Sequence, residues 1–285
     1  MKVKVNFEGL DINVHVDKKG DKGQNLLFVH GIPTNGRLWR HVQDRLQGKY
    51  QTYAIDLVGY GRSDMPLNDF EHSLMNQAEV LKLVIEELGL KGNVILIGHD
   101  HGGGVSQVFA SRYCDYIKRL VLLDPICFDL WPVCEVEILA ALDGAPDEIL
   151  MQAQAQTAAG FPGLMRMGSY DGTPFTDKSV KENYLQYWGR DGLTGFKSLI
   201  RVSTDAKQSD TDVDYTKIKC PTMVMWGAAD CFMPKETAFK LKAKIAGPTR
   251  TQIIEKAGHY AQEDRPDDVA HYIDDFITEW DGVAL

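Results

Sequence analysis

Six short apolar runs recur along the chain: NLLFVHG (25–31), YQTYAIDLV (50–58), NVILIGHD (93–100), KRLVLLDP (118–125), TMVMWGAAD (222–230) and TQIIEKAGH (251–259). Nearly every run ends in a polar or glycine-bearing loop, and amphipathic stretches separate them. Each run is apolar without alternation, the pattern of a strand buried on both faces. In QAEVLKLVIEELG, by contrast, Val80, Leu81, Val84, Ile85 and Leu88 share one helical face and Gly89 is placed to stop the helix. PDDVAHYIDDFITEW repeats the helical pattern through Val269, Tyr272, Ile273, Phe276, Ile277 and Trp280, after an opening Pro266. At the amino end the pattern changes: Val3, Val5 and Phe7, then Ile12, Val14 and Val16, alternate with polar residues and predict the two strands of a hairpin.

Alternation of buried strands with helices predicts an α/β protein, a mostly parallel sheet covered by helices on both faces, with its chemistry at the carboxyl ends of the strands. The alternation breaks between residues 126 and 212. That segment is helix-like and rich in aromatics, among them Trp131, Phe161, Tyr170, Phe175, Tyr184, Tyr187, Trp188 and Phe196. It is expected to form an inserted helical cap, with residues 1–125 and 213–285 forming the core.

Composition narrows the class of partner. A net charge of -9 argues against nucleic acid or an anionic membrane surface, both of which need a basic face. No stretch approaches the roughly 18 apolar residues of a membrane span, and the amino end has no continuous apolar signal-peptide core. Five cysteines, Cys114, Cys127, Cys134, Cys220 and Cys231, include no CxxC pair. They suggest a reducing cytoplasm, small buried thiols and no structural metal. A small uncharged organic ligand fits best, in a monomer or a homodimer.

The chemistry concentrates in GHDHGGG. Gly98-His99-Asp100-His101-Gly102 has the spacing of a nucleophile elbow, a sharp strand-to-helix turn that exposes its central side chain. No G-x-S-x-G occurs in the chain, so Asp100 has no rival at the apex. Two partners follow in the order nucleophile, acid, base: Asp230 closes TMVMWGAAD, and His259 follows IIEKAG. Asp124, at the end of LVLLD, is a rival orienting acid at another strand end. Phe28-Val29-His30-Gly31-Ile32-Pro33 supplies a loop beside the elbow, where the Ile32 N–H can pair with that of His101 to hold an oxyanion. His30 and His99 are read as supports for these loops, and DLVGYGRSD (56–64) as a structural border of the site.

HGIPTNGRLWR (30–40), DLVGYGRSD, GHDHGG, WGAAD and AGHYAQEDRP, in this order, resemble the α/β-hydrolase superfamily, and within it the branch with an aspartate nucleophile: epoxide hydrolases, haloalkane dehalogenases and fluoroacetate-type dehalogenases. The resemblance spans nearly the whole chain. It implies an eight-stranded sheet, a cap following the sixth strand, and no cofactor.

A carboxylate with a pKa near 4 is already ionised at pH 7, so Asp100 needs no base in order to attack. Attack on an ester carbonyl would give a high-energy anhydride. Attack on saturated carbon gives an ordinary ester that water, deprotonated by His259, can split. The resemblance also implies how subclasses differ. Haloalkane dehalogenases place Trp after the nucleophile and often Asn after His-Gly, where this chain has His101 and Ile32; fluoroacetate-type enzymes place Arg after the nucleophile and again three residues later, where it has His101 and Gly104. Epoxide hydrolases use cap tyrosines to protonate the leaving alkoxide. In KENYLQYWGR, Tyr184 and Tyr187 fall on one helical face with Trp188 and are the candidate acids, with Tyr170 a further cap tyrosine. An epoxide hydrolase opening a small apolar epoxide is therefore expected first and a haloalkane dehalogenase or other hydrolase second. A non-hydrolytic receptor or a cofactor-free oxygenase with an HxHGG elbow comes third.

Overall fold

In the computed structural model, which describes residues 1–205 and 213–280, the apolar runs form six neighbouring strands of one eight-stranded sheet, the last of them at its edge. β1 (Lys2–Phe7) and β2 (Leu10–Lys19) make the expected hairpin, followed by β3 (Asn25–Val29), β4 (Gln51–Ile55), β5 (Val94–His99), β6 (Arg119–Pro125), β7 (Thr222–Gly227) and β8 (Thr249–Ile254). Their order across the sheet is β1-β2-β4-β3-β5-β6-β7-β8; only the β1/β2 and β2/β4 pairs are antiparallel.

Period-2 geometry divides each central strand between two cores. On one side Leu26, Phe28, Ile95, Ile97, Val121 and Leu123 meet α1 (Arg40–Leu46) and α10 (Pro266–Glu279). On the other, Leu27, Val29, Leu96, Leu120 and Leu122 meet α2 (Leu74–Glu87) and α3 (Asp100–Arg112). Both helices predicted from periodicity are present. α2 starts at Ser73, whose hydroxyl accepts the Asn76 N–H, and stops at Gly89, which takes a φ of +67°.

Between β6 and β7 lie α4 (Cys134–Ala140), α5 (Asp147–Gly168), α6 (Asp177–Asn183) and α7 (Thr194–Asp205). The carboxyl end expected for the cap, residue 212, lies outside the described residues. α8 (Thr237–Lys244) and the short α9 (Ala261–Asp264) complete the helices. The segment around α6 is tied to the core: Asn35 Nδ2 donates to the Asn183 carbonyl at 2.8 Å, and Arg37 Nε donates to Asn183 Oδ1 at 2.8 Å.

No helix among the described residues is long and apolar enough to cross a membrane.

Candidate active site

The site is built where β5 turns into α3. His99 is extended and Asp100, at the first helical position, has a φ of +51°, a left-handed conformation that costs a non-glycine residue about 1–3 kcal/mol. The glycines around it let the turn close. A Cβ on Gly98 would stand 2.3 Å from Ser106 Oγ, and one on Gly102 2.3 Å from the His30 carbonyl. Gly31 faces Asp100 directly: a Cβ there would lie 2.3 Å from Oδ1. Glycine spacing in the sequence thus reports how closely α3 packs on the sheet and on the β3 loop.

The Ile32 N–H donates to Asp100 Oδ1 at 2.8 Å, and the backbone N–H of His101 helps to stabilise the charged carboxylate. Oδ2 lies on the other side, 3.6 Å from His259 Nε2. His259 Nδ1 in turn meets Asp230 Oδ2 at 3.0 Å, while Asp230 Oδ1 accepts the N–H groups of Phe232 (2.9 Å) and Met233 (3.1 Å). The His259 N–H donates to the Gly168 carbonyl at 2.7 Å, so the end of α5 fixes the histidine loop.

Burial by itself would raise the pKa of Asp100, but the charge of His259 and the donors around the carboxylate hold it below the ordinary carboxylate value. Burial likewise pulls His259 down, yet the charges of Asp230 and Asp100 outweigh it and raise that imidazole well above its usual value. The resting site is therefore an imidazolium between two carboxylates.

Asp124 stands beside Asp230 and interacts with that side chain, but it does not reach His259 by a hydrogen bond. Its Oδ1 accepts the Gly227 N–H at 2.9 Å, whereas Oδ2 is buried and receives no donor. Burial and the charge of Asp230 push its pKa well above the carboxylate range, so Asp124 is the neutral acid of the pair and Asp230 is the one that orients His259.

Asp100 and His259 open into a cavity of about 250 Å³ lined mainly by apolar side chains, including Val136, Leu139, Phe161, Leu164 and Phe232. Among the described residues Glu135 is the other carboxylate on its wall, and no lysine or arginine lines it.

The sequence model of the alpha/beta hydrolase fold family matches residues 24–266, spanning the elbow, Asp230 and His259. The chain belongs to this family. It is 27% identical to epoxide hydrolase 3 of Xenopus tropicalis over 94% of this chain and 75% of that protein. It is 26% identical to a cis-3-alkyl-4-alkyloxetan-2-one decarboxylase of Shewanella oneidensis over 92% of this chain and 85% of that one. Among solved structures, the epoxide hydrolase CorEH superposes with a TM-score of 0.77 at 22% identity, covering 98% of this chain and 99% of that one, a likeness of fold.

Within this alpha/beta hydrolase the structure brings Asp100, His259, Asp230, Ile32 and the His101 backbone together. His30 and His99 take the supporting places expected of them: His30 Nε2 accepts the Leu57 N–H at 3.0 Å, and His99 Nε2 lies 2.9 Å from the His259 carbonyl. The His101 side chain lies apart from this group. Its ring is fully buried against Tyr60 and Trp131, both nitrogens lack partners, and it does not line the cavity, so it is not placed to serve a leaving group.

The cap tyrosines differ from their predicted position. α6 ends at Asn183 and a 3-10 turn covers Leu185–Tyr187, so Tyr184 and Tyr187 do not share one α-helical face. Tyr184 is buried and donates to Glu263 Oε1 at 2.7 Å, within an ion pair that Glu263 makes with Arg40. Tyr187 borders a separate small void with Tyr184, and Tyr170 is half exposed. None of the three lines the cavity that holds Asp100. The tyrosine that does is Tyr260, which the sequence reading passed over although it directly follows His259.

Proposed function

We propose that this hydrolase opens a small uncharged epoxide to a diol through an ester formed on Asp100. The observation that carries the reading is the division of labour between the two carboxylate oxygens. Oδ1 sits against the Ile32 N–H, and Oδ2 faces His259 at the cavity. In this reading Oδ2 attacks a ring carbon and the C–O bond of the epoxide breaks. Oδ1 becomes the ester carbonyl, already seated where negative charge will develop. His259 then takes a proton from water, whose oxygen adds to Cγ of Asp100. Collapse of that intermediate releases the diol and restores the carboxylate.

Charge supports the choice of substrate. With Glu135 on the wall, no lysine or arginine there among the described residues, and His259 already shared by Asp100 and Asp230, a substrate carboxylate would be buried without a cation of its own, at a cost of several kcal/mol. For halide expulsion Ile32 offers only its backbone N–H and the His101 ring lies away from the cavity, which leaves the Trp188 indole as the side-chain N–H of a tryptophan on its wall.

The test is a panel of terminal and styrene-type epoxides, primary alkyl bromides and an oxetan-2-one, with diol, bromide and acid release quantified. Epoxide turnover at 10³-fold or more over the Asp100→Ala protein supports the reading. Bromide or oxetanone turnover with inert epoxides overturns it.

A further inference from the structure

An epoxide oxygen leaves as a strongly basic alkoxide, so an aspartate nucleophile is not enough. Something across the cavity must give that oxygen a proton as the ring opens. Tyr184 donates to Glu263, Tyr187 borders a separate void, and Tyr60 lies behind the elbow with its hydroxyl buried.

Tyr260 is different from all of them. Only 2% of the residue is exposed, it lines the cavity with Asp100 and His259, and its hydroxyl makes no hydrogen bond to any described residue. Its ring cannot drift. It packs edge-on to Phe175 at 5.2 Å and His259 at 5.1 Å, and Gly168 leaves it room that a single Cβ would remove, at 2.6 Å from Cε2. A rigid phenol with an unused donor on the wall of a reaction cavity is available to a substrate there, whereas the unpaired hydroxyl of Tyr60 is sealed away from it.

We propose that Tyr260, from the core beside the catalytic histidine and not from the cap, is the acid that protonates the departing epoxide oxygen. This inference rests on the epoxide reading above. As Asp100 Oδ2 bonds to the ring carbon, the carbon–oxygen bond breaks with its electron pair on oxygen, and that oxygen takes the Tyr260 proton. The site then holds a neutral ester, a phenolate and the His259 imidazolium. A proton passes from His259 to the neighbouring phenolate, which restores the phenol and leaves the neutral imidazole that must next deprotonate water. Hydrolysis returns one proton to His259 and one to the product, so epoxide and water give diol with every group back in its starting form. Burial and the charges of Asp100 and Asp230 raise the Tyr260 pKa well above 10, which keeps the phenol protonated at neutral pH.

The experiment compares Tyr260→Phe with the wild type in rapid-quench alkylation, reading the Asp100 peptide by mass across epoxides whose leaving alkoxides differ in basicity. Alkylation by a simple alkyl epoxide should slow by about 10²-fold or more. The loss should shrink as electron-withdrawing substituents make the alkoxide a weaker base. Equal alkylation rates in the two proteins overturn the role of Tyr260 while leaving the epoxide reading intact; a wild type that opens no epoxide overturns the reading itself. Should the Phe variant fail to fold by circular dichroism, difluorotyrosine at position 260 lowers the phenol pKa without removing the ring. The alkaline limb of the alkylation rate should then move to lower pH, and an unmoved limb overturns the proposal.

Discussion

The backbone N–H of Ile32 meets Oδ1 of Asp100 at 2.8 Å, although 68 residues separate them along the chain. In the proposed mechanism that bond gives the two carboxylate oxygens different fates. It also explains why Gly31 precedes Ile32, since a side chain there would occupy the place of Asp100 itself. Gly31→Ala should therefore displace the elbow and reduce epoxide turnover by at least 10²-fold, more than an average surface change. Steady-state assays beside a thermal melt check this, and near wild-type activity would show that the loop adapts.

In the proposed mechanism His259 is the base for hydrolysis and not for alkylation. In His259→Gln the ester should form and persist, seen as one product-sized mass added per Asp100 and a stoichiometric burst with no subsequent turnover. A variant that neither accumulates ester nor turns over would place His259 in the first step as well.

The two buried acids make opposite predictions. Asp230→Asn removes the charge that orients His259 and should slow hydrolysis of the ester by about 10³-fold or more. Asp124 is already neutral, so Asp124→Asn should leave hydrolysis within about threefold of wild type. Ester decay after a single loading pulse separates the two. A reversal of the pattern would make Asp124 the orienting acid.

Tyr184 belongs to stability. Removing the hydroxyl that donates to the buried Glu263 should cost about 2 kcal/mol, whereas Arg40→Ala, which leaves that carboxylate uncompensated, should cost about 3–5 kcal/mol. Denaturant titration measures both. For Tyr184→Phe, kcat on an epoxide should remain within twofold of wild type; a large loss of kcat with unchanged stability would return Tyr184 to the chemistry.

These outcomes also mark which parts of the site were legible in the sequence. Strand ends, elbow, Asp230 and His259 could be read because each depends on local constraints: continuous apolar runs, glycines at fixed offsets, acids and histidines just beyond a strand. Ile32 followed from its place after His-Gly. Tyr184 could not be placed, because its direction depends on Glu263, 79 residues away, and on α6 ending one residue before it. The His101 side chain could not be placed either: its backbone has the predicted place, and α3 turns its ring under the elbow toward Tyr60 and Trp131. Tyr260 carried a signal, adjacency to His259, that a periodicity search does not weigh.

Acid stability follows from the same buried histidines. Burial lowers the pKa of His101 to about 4 and that of His99 to about 3, against about 6.5 in the unfolded chain. Between those values the unfolded state binds protons that the folded state refuses, so stability should fall as pH drops from 6.5 toward 4. For His101, the interval from 6.5 to 4 corresponds to about 3 kcal/mol. His259, raised in the folded state, acts with the opposite sign: its contribution is present in acid and lost as pH rises through its folded pKa. His101→Leu should flatten the acid limb of unfolding free energy against pH by about one proton; an unchanged slope would mean the ring is protonated in the native state.

The central claim is that Asp100 forms the ester and water attacks that ester at Cγ. A single turnover of an opened epoxide in heavy-oxygen water, with enzyme in excess, tests it directly. The account predicts that one heavy oxygen appears in the Asp100 peptide and that the first-turnover diol carries none. Label in the diol with an unlabelled Asp100 would mean that water attacked the substrate directly, and the ester mechanism would be wrong.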